Sequence, residues 1–334
     1  MMKKILLLGG TGAMGIYLAP ELLDMGYAVD VVSLDKKTSD IPNLRYFQMN
    51  AMDDSVLKDL LKNKYDGIVD FLVYEDPENT FGKRVDLLLD STAHYIFLSS
   101  YRVYSESVPI TENSPRLFDV SPDREYLKEY RNEYSLYKAV GENILRGTKY
   151  NNWSIIRPAI TYSQRRFQLV TLEANVIIDR MRNGKTVYLP EGAMDKDAVM
   201  TWAGDVAKMI ARLLFNDKAY GETFTVSTSE YNTWRQVAEF YSEIGGLKYE
   251  VVDTETYLEM LGNGKNARFQ LFYDRMFNRR VDNSKILEVT GLKQSDFVPL
   301  KKGLETEYNK LPKDVVWEET SVNKKMDEYA ARKI

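Results

Sequence analysis

A tyrosine and a lysine four residues apart carry the first chemistry that this chain could perform. They are Tyr134 and Lys138, within Glu133-Tyr-Ser-Leu-Tyr-Lys138. On a helix, that spacing puts both side chains on one face. A free phenol, with a pKa near ~10, is a poor acid or base at neutral pH. A neighbouring ammonium would favour the phenolate and bring it toward working pH. A third group is Ser100, in Ser99-Ser-Tyr-Arg-Val-Tyr104. It follows an apolar run read as a strand, and its hydroxyl could hold a substrate oxygen that gains or loses a proton. Other chemistries are excluded by composition. Cysteine is absent, which removes thiol chemistry and disulfides and fits a reducing cytosol. The single histidine, His94, rules out multi-histidine metal sites and speaks against a Ser-His-Asp triad. Its place just before the run Tyr95–Leu98 predicts a structural role.

These groups need elements to position them, and the strongest local signal lies at the start. Ile5-Leu-Leu-Leu8 suits a strand buried on both faces. Gly9, Gly12 and Gly15 follow at spacing three, and Gly10, Gly12 and Gly15 also satisfy G-x-G-x-x-G. Ile16 to Met25 then reads as a helix. Strand, glycine turn and helix form a cradle for a pyrophosphate, because glycine lets the backbone approach the anion at a helix start. Gly9, Gly12, Ala13, Met14 and Gly15 are thus expected to bind a dinucleotide, NAD or NADP. With its nicotinamide near Tyr134, the ring's positive charge would add to that of Lys138, which could also hold the ribose hydroxyls.

The second strand is read over Ala28 to Leu34, closed by Asp35, an acidic residue placed to bind the adenosine ribose. If it ends a residue or two earlier, Ser33 faces the ribose with Lys36 and Lys37 close by, which would suit a 2′-phosphate. Both readings stay open, and with them NAD and NADP. Asn50 and Ala51 follow a third strand, Asn43 to Met49, where an adenine would rest. Further strands are expected at Asp66–Val73, Tyr95–Ser100 and Trp153–Pro158, with helices at 55–63, 78–91 and 132–146. Asp70 is unusual inside a buried strand. The alternation predicts an α/β fold: a Rossmann-type doubly wound parallel sheet with a smaller mixed α/β C-terminal substrate domain. The expected division is 1–163 for the dinucleotide domain, with 198–228 packing back onto it, and 164–197 plus 229–334 for the substrate domain and tail. Residues 106–131 read as a polar surface loop, and 301–334 as a polar helical tail. Arg268, Arg275, Arg279 and Arg280 are candidates to clamp a phosphorylated substrate.

Taken in order, the glycine turn, Ser100, and Tyr134 with Lys138 resemble the extended short-chain dehydrogenase/reductases, the NAD-dependent epimerases and dehydratases of nucleotide sugars. The likeness covers most of the chain. It implies Ser100, Tyr134 and Lys138 as catalytic residues. Ile155-Ile-Arg-Pro158 resembles the segment that closes over the nicotinamide, which adds Pro158 to the cofactor residues. Glu142 follows the catalytic pair as in many members. Tyr101-Arg102 stands where sugar 4,6-dehydratases usually carry Asp-Glu, so that activity is not expected. Ala159-Ile-Thr-Tyr-Ser163 lacks the asparagine of many sugar-nucleotide epimerases. The resemblance also implies a small-molecule substrate, a nucleotide sugar, and a homodimer through the helices at 78–91 and 132–146. The alternative is a non-catalytic dinucleotide-sensing or RNA-binding relative. A net charge of −4 argues against nucleic acid. No apolar run approaches the ~18 residues of a membrane span, and a cytoplasmic protein is expected.

Overall fold

The computed structural model describes residues 2–121, 133–164 and 166–333. Its centre is a seven-stranded sheet, all parallel. In chain order the strands are β1 (Lys4–Leu8), β2 (Ala28–Ser33), β3 (Leu44–Gln48), β4 (Gly67–Asp70), β5 (His94–Leu98), β6 (Trp153–Pro158) and β7 (Glu222–Val226). The spatial order is β3-β2-β1-β4-β5-β6-β7. The order reverses at β1, which lies between β2 and β4; such a switch point opens a crevice at the carboxyl ends of the strands. The ends are level there, with Leu8 opposite Asp70, Asp70 opposite Phe97 and Leu98 opposite Ile156.

The apolar run of β1 explains why the sheet is covered twice. Ile5 and Leu7 join one hydrophobic cluster, and Leu6 and Leu8 another. Alternate residues of a strand point to opposite faces, so both faces must be packed. Helices α1 (Gly15–Asp24) and α5 (Ala203–Leu213) supply Leu18, Leu22, Met209 and Ile210 to the first. Helices α2 (Asp54–Leu61), α3 (Phe81–Asp90) and α4 (Tyr134–Arg146) supply Leu57, Phe81, Leu88 and Leu145 to the second.

A third cluster gathers the C-terminal half, from Ala159 and Ile177 to Leu304 and Met326. Its sheets are two-stranded: Ile160–Tyr162 with Met200–Trp202, Thr186–Pro190 with Lys248–Val252, and Ser107–Ile110 with Arg279–Val281. One expectation is corrected here, and the expected helical tail resolves into two helices. The polar segment after Glu106 contains the strand Ser107–Ile110 and a helical turn, Leu117–Val120; the rest of that expected loop, 122–131, lies outside the described residues. The polar tail is two packed helices, Leu300–Asn309 and Ser321–Arg332, with Leu300, Leu304 and Met326 buried. Glu307 of the first is buried; its carboxylate accepts from Tyr17 Oη of α1 at 2.6 Å and from Trp202 Nε1 at 3.0 Å.

Candidate active site

The glycine turn leaves β1 and enters α1 as the spacing predicts. A Cβ on Gly15 would lie 2.2 Å from the Gly10 carbonyl oxygen, so this position must be glycine for helix and turn to touch. A Cβ on Gly12 would meet nothing nearer than Gly9 O at 3.9 Å. Gly12 therefore leaves open backbone. The start of α1 at Met14 has no side-chain cap. Open backbone beside uncapped helical N–H groups fits a pyrophosphate. Ala13 lies between these two features. β2 ends at Ser33, earlier than the expected Leu34. The Ser33 hydroxyl accepts from Asp35 N–H at 3.1 Å, while Asp35 and Lys36 are exposed and Lys37 lies over the Tyr46 ring. Asn50 is exposed at the end of β3, and Ala51 is buried beside it. Buried Arg84 donates to the carbonyls of Ala51 and Met52 at 2.9 and 2.6 Å, which fixes that loop.

Ser100 lies two residues past the end of β5 and caps the turn Tyr101–Val103, accepting from Arg102 N–H at 3.2 Å. Tyr134 begins α4; Asn132, expected as its start, lies outside the described residues. Glu133 caps this helix by accepting from Ser135 N–H at 2.7 Å. Gly141, one turn beyond Lys138, lets α4 press onto β5: a Cβ there would meet the Phe97 ring at 2.7 Å. Lys138 is buried, and its Nζ donates to Leu98 O at 2.6 Å and Leu72 O at 3.3 Å. Two further buried groups set the register between α4 and β6. Arg157 donates twice to Glu142, at 2.8 and 2.6 Å, and Ser99 donates to the same carboxylate.

One cavity of about 300 Å³ joins some of these parts, with Lys138 outside its lining. It is lined by Met14 of the glycine turn, Ser100, Tyr134 and Pro158, and also by Arg102, Thr161, Arg166, Gln270 and Arg275. Ser100, Tyr134, Met14 and Pro158 were expected; Arg102, Thr161, Arg166 and Gln270 were not. Arg166 had a signal, since Arg165-Arg166 closely follows a strand past Pro158.

The electrostatics correct one expectation. Burial raises the Tyr134 phenol above its ordinary value; Arg166, then Arg102 and the Ser100 hydroxyl, pull it down, and Glu133 raises it. Lys138 is not what acidifies it. The ammonium is 5.7 Å from the Tyr134 ring centroid and is spent on carbonyls. Burial pushes Lys138 itself down to about 8, against the raising effect of Asp70 and Glu142.

The four arginines expected to clamp phosphate do not act as one group. Arg275 reaches the cavity and is buried. Arg279 is buried behind it, paired with Asp274, over the Tyr101 ring. Arg268 pairs with Glu255 and Arg280 with Asp197, both at the surface and outside the cavity lining. Asp274, which the sequence did not single out, is a buried carboxylate shared by Arg102, Arg275 and Arg279. It sits on a π-helical turn, Leu271–Arg275, a form common at functional sites.

A chloroplast stem-loop binding protein of 41 kDa (b) from Arabidopsis thaliana is 24% identical over 323 residues, covering 92% of this chain and 79% of the relative. Among solved structures, dTDP-glucose 4,6-dehydratase from Bacillus anthracis in complex with NAD aligns with a TM-score of 0.69 at 17% identity, over 92% of this chain and 97% of that one. The human epimerase family protein SDR39U1 with NADPH aligns with a TM-score of 0.65 at 15% identity, over 92% and 100%. Those likenesses concern the fold. The family model for NAD dependent epimerase/dehydratase matches residues 5–227, from β1 through β7, and the chain belongs to that family.

Proposed function

We propose that this protein is an NAD(P)-dependent epimerase or oxidoreductase acting on a nucleotide sugar or a related polyhydroxy compound. The observation that carries the reading is the cavity that Met14, Ser100 and Tyr134 share. Residues 1–163 with 198–228 would bind the cofactor; 164–197 and 229–334 would shape the substrate side. When bound, the nicotinamide supplies a hydride acceptor and donor. The open backbone at Gly12 and the start of α1 hold the pyrophosphate. Lys138, fixed by Leu98 O and Leu72 O, has its remaining donor for the ribose hydroxyls. Tyr134 takes the proton of the substrate hydroxyl as the carbon gives up hydride, and Ser100 holds that oxygen. Tyr134 returns the proton in an epimerisation and passes it to solvent in a net oxidation. Arg102 and Arg166 favour the phenolate that this step needs.

A second reading has one observation behind it, the stem-loop binding name of the Arabidopsis relative. The net charge of −4 and the retained Ser100, Tyr134 and Lys138 weigh against it. Thermal shift with NAD, NADP, UDP-glucose, dTDP-glucose and a stem-loop RNA separates the two. A specific ligand at a hundred times its Kd stabilises by about 2.7 kcal/mol. A dinucleotide is expected to raise the Tm, and a sugar nucleotide to raise it further. A shift with RNA alone would contradict the enzyme reading.

A further inference from the structure

We infer that the substrate carries a carboxylate on its reacting end and that Arg166 recognises it. The inference rests on the proposed use of this cavity and deepens it. Among the described residues, the cavity lining contains three arginines, Arg102, Arg166 and Arg275, and no aspartate or glutamate. Two of the three are already neutralised from behind the lining. Arg102 pairs with Glu133 and with Asp274, the latter at 3.1 Å. Arg275 pairs with Asp274 at 2.6 Å and donates to Val170 O and Gln168 Oε1 at 2.7 and 3.1 Å. Arg166 has no carboxylate partner among the described residues.

Its backbone is nonetheless fixed. Arg166 N–H donates to Ser163 O and Ser163 N–H donates to Arg166 O, both at 2.9 Å, closing a tight turn directly after the strand Ile160–Tyr162. That strand is buried and pairs with Met200–Trp202. A half-buried guanidinium beside a hydrogen-bonded turn, in the cavity that holds Tyr134 and Ser100, has no counter-charge among the described residues. Its planar fork of donors matches a carboxylate in two parallel hydrogen bonds. One unspent positive charge calls for one negative charge, which favours a carboxylate over a dianionic phosphate. Because Arg166 lines the same cavity as the candidate acid–base residue, the anion belongs near the carbon that reacts, whatever a nucleotide contributes farther out.

The test measures binding to the cofactor-loaded protein for two matched pairs, UDP-glucuronate against UDP-glucose and free D-glucuronate against D-glucose. D-glucose 6-phosphate is the phosphate control. In at least one pair the acid is expected to bind about tenfold or more tightly, the advantage of a charge-assisted hydrogen bond. Arg166→Gln should reduce that preference to about threefold or less, and Arg166→Lys should keep part of it. Cofactor affinity and Tm of both variants should stay at the wild-type values, which separates lost recognition from lost folding. A preference confined to the free pair would keep this inference and remove the nucleotide reading. No preference in either pair, including no binding of either acid, would overturn it. So would a preference that survives in Arg166→Gln, or stronger binding of the phosphate than of the carboxylate.

Discussion

Lys138 owes its position to a buried carboxylate two strands away in sequence. Asp70 closes β4 fully buried and accepts from Tyr74 Oη at 2.8 Å, Tyr95 Oη at 2.6 Å and Leu72 N–H at 2.9 Å. Leu72 in turn offers its carbonyl to Lys138 Nζ. Asp70 thus fixes one carbonyl that holds the ammonium, and its charge favours the protonated amine. Asp70→Asn removes the charge and keeps the shape. The Lys138 ammonium, already brought down to about 8, should then lose its proton at a lower pH. The alkaline limb of cofactor binding is expected to move down by about one pH unit, measured by titrating NAD(P) affinity between pH 6 and 10. An unmoved limb would mean that Asp70 acts only through packing. At this scale the sequence was readable where chemistry is local. The pair Tyr134 and Lys138 shows itself by spacing, and Ser100 by following an apolar run. The direction of the Tyr134 shift was not readable, because it depends on burial and on Arg166 and Arg102, which arrive from elsewhere in the chain. Arg275 differs from Arg268 only by tertiary position.

Among the elements, the glycine turn carries the sharpest contrast. Gly12→Ala adds a methyl where the protein has no atom within 3.9 Å, so the free protein should keep its Tm within about 1 °C. The same methyl occupies the ground a pyrophosphate needs, and NAD(P) affinity should fall by about tenfold or more. Gly15→Ala pushes a Cβ into the Gly10 carbonyl and should destabilise the free protein by about 1–3 kcal/mol. Calorimetry of both variants, with and without cofactor, checks the pair; equal losses of Tm would contradict this division of roles. β1 and the Tyr95–Leu98 part of β5 were legible because buried parallel strands are continuous apolar runs. The strand Ser107–Ile110 was hidden because its partner, Arg279–Val281, comes about 170 residues later and local pattern carries no trace of it. The helices Leu300–Asn309 and Ser321–Arg332 read as a polar tail because each buries only a narrow stripe, Leu300 with Leu304 and Met326.

At the level of the whole molecule, a few buried polar links tie the sheet to the C-terminal half. Asp274 joins Arg102, just past β5, to Arg275 and Arg279. Glu307 joins the last third of the chain to α1 through Tyr17. His94 is the matching link between strands and the segment just after α5. Its Nδ1 accepts from Phe215 N–H at 2.9 Å, and Nε2 lies 2.9 Å from Ser154 Oγ, which donates to Ala219 O. The ring is therefore neutral with its proton on Nε2, the structural role expected of it. Burial lowers its pKa from 6.5 to about 4. The unfolded chain then binds the extra proton between those two values, so stability is full above about pH 6.5 and falls as pH drops toward 4. Between pH 7 and 5 this group should cost about 2 kcal/mol of stability. His94→Gln should show a correspondingly shallower loss in urea titrations over that range. An unchanged slope would remove His94 as a source of acid sensitivity.

The most direct test of the account is Tyr134→Phe, assayed for turnover and for cofactor affinity on the same preparation. Removing one hydroxyl from an otherwise intact cavity should lower turnover by about a hundredfold or more, with NAD(P) bound within about threefold of wild type. Turnover that persists at the wild-type rate would contradict the claim that the phenol in this cavity moves the proton.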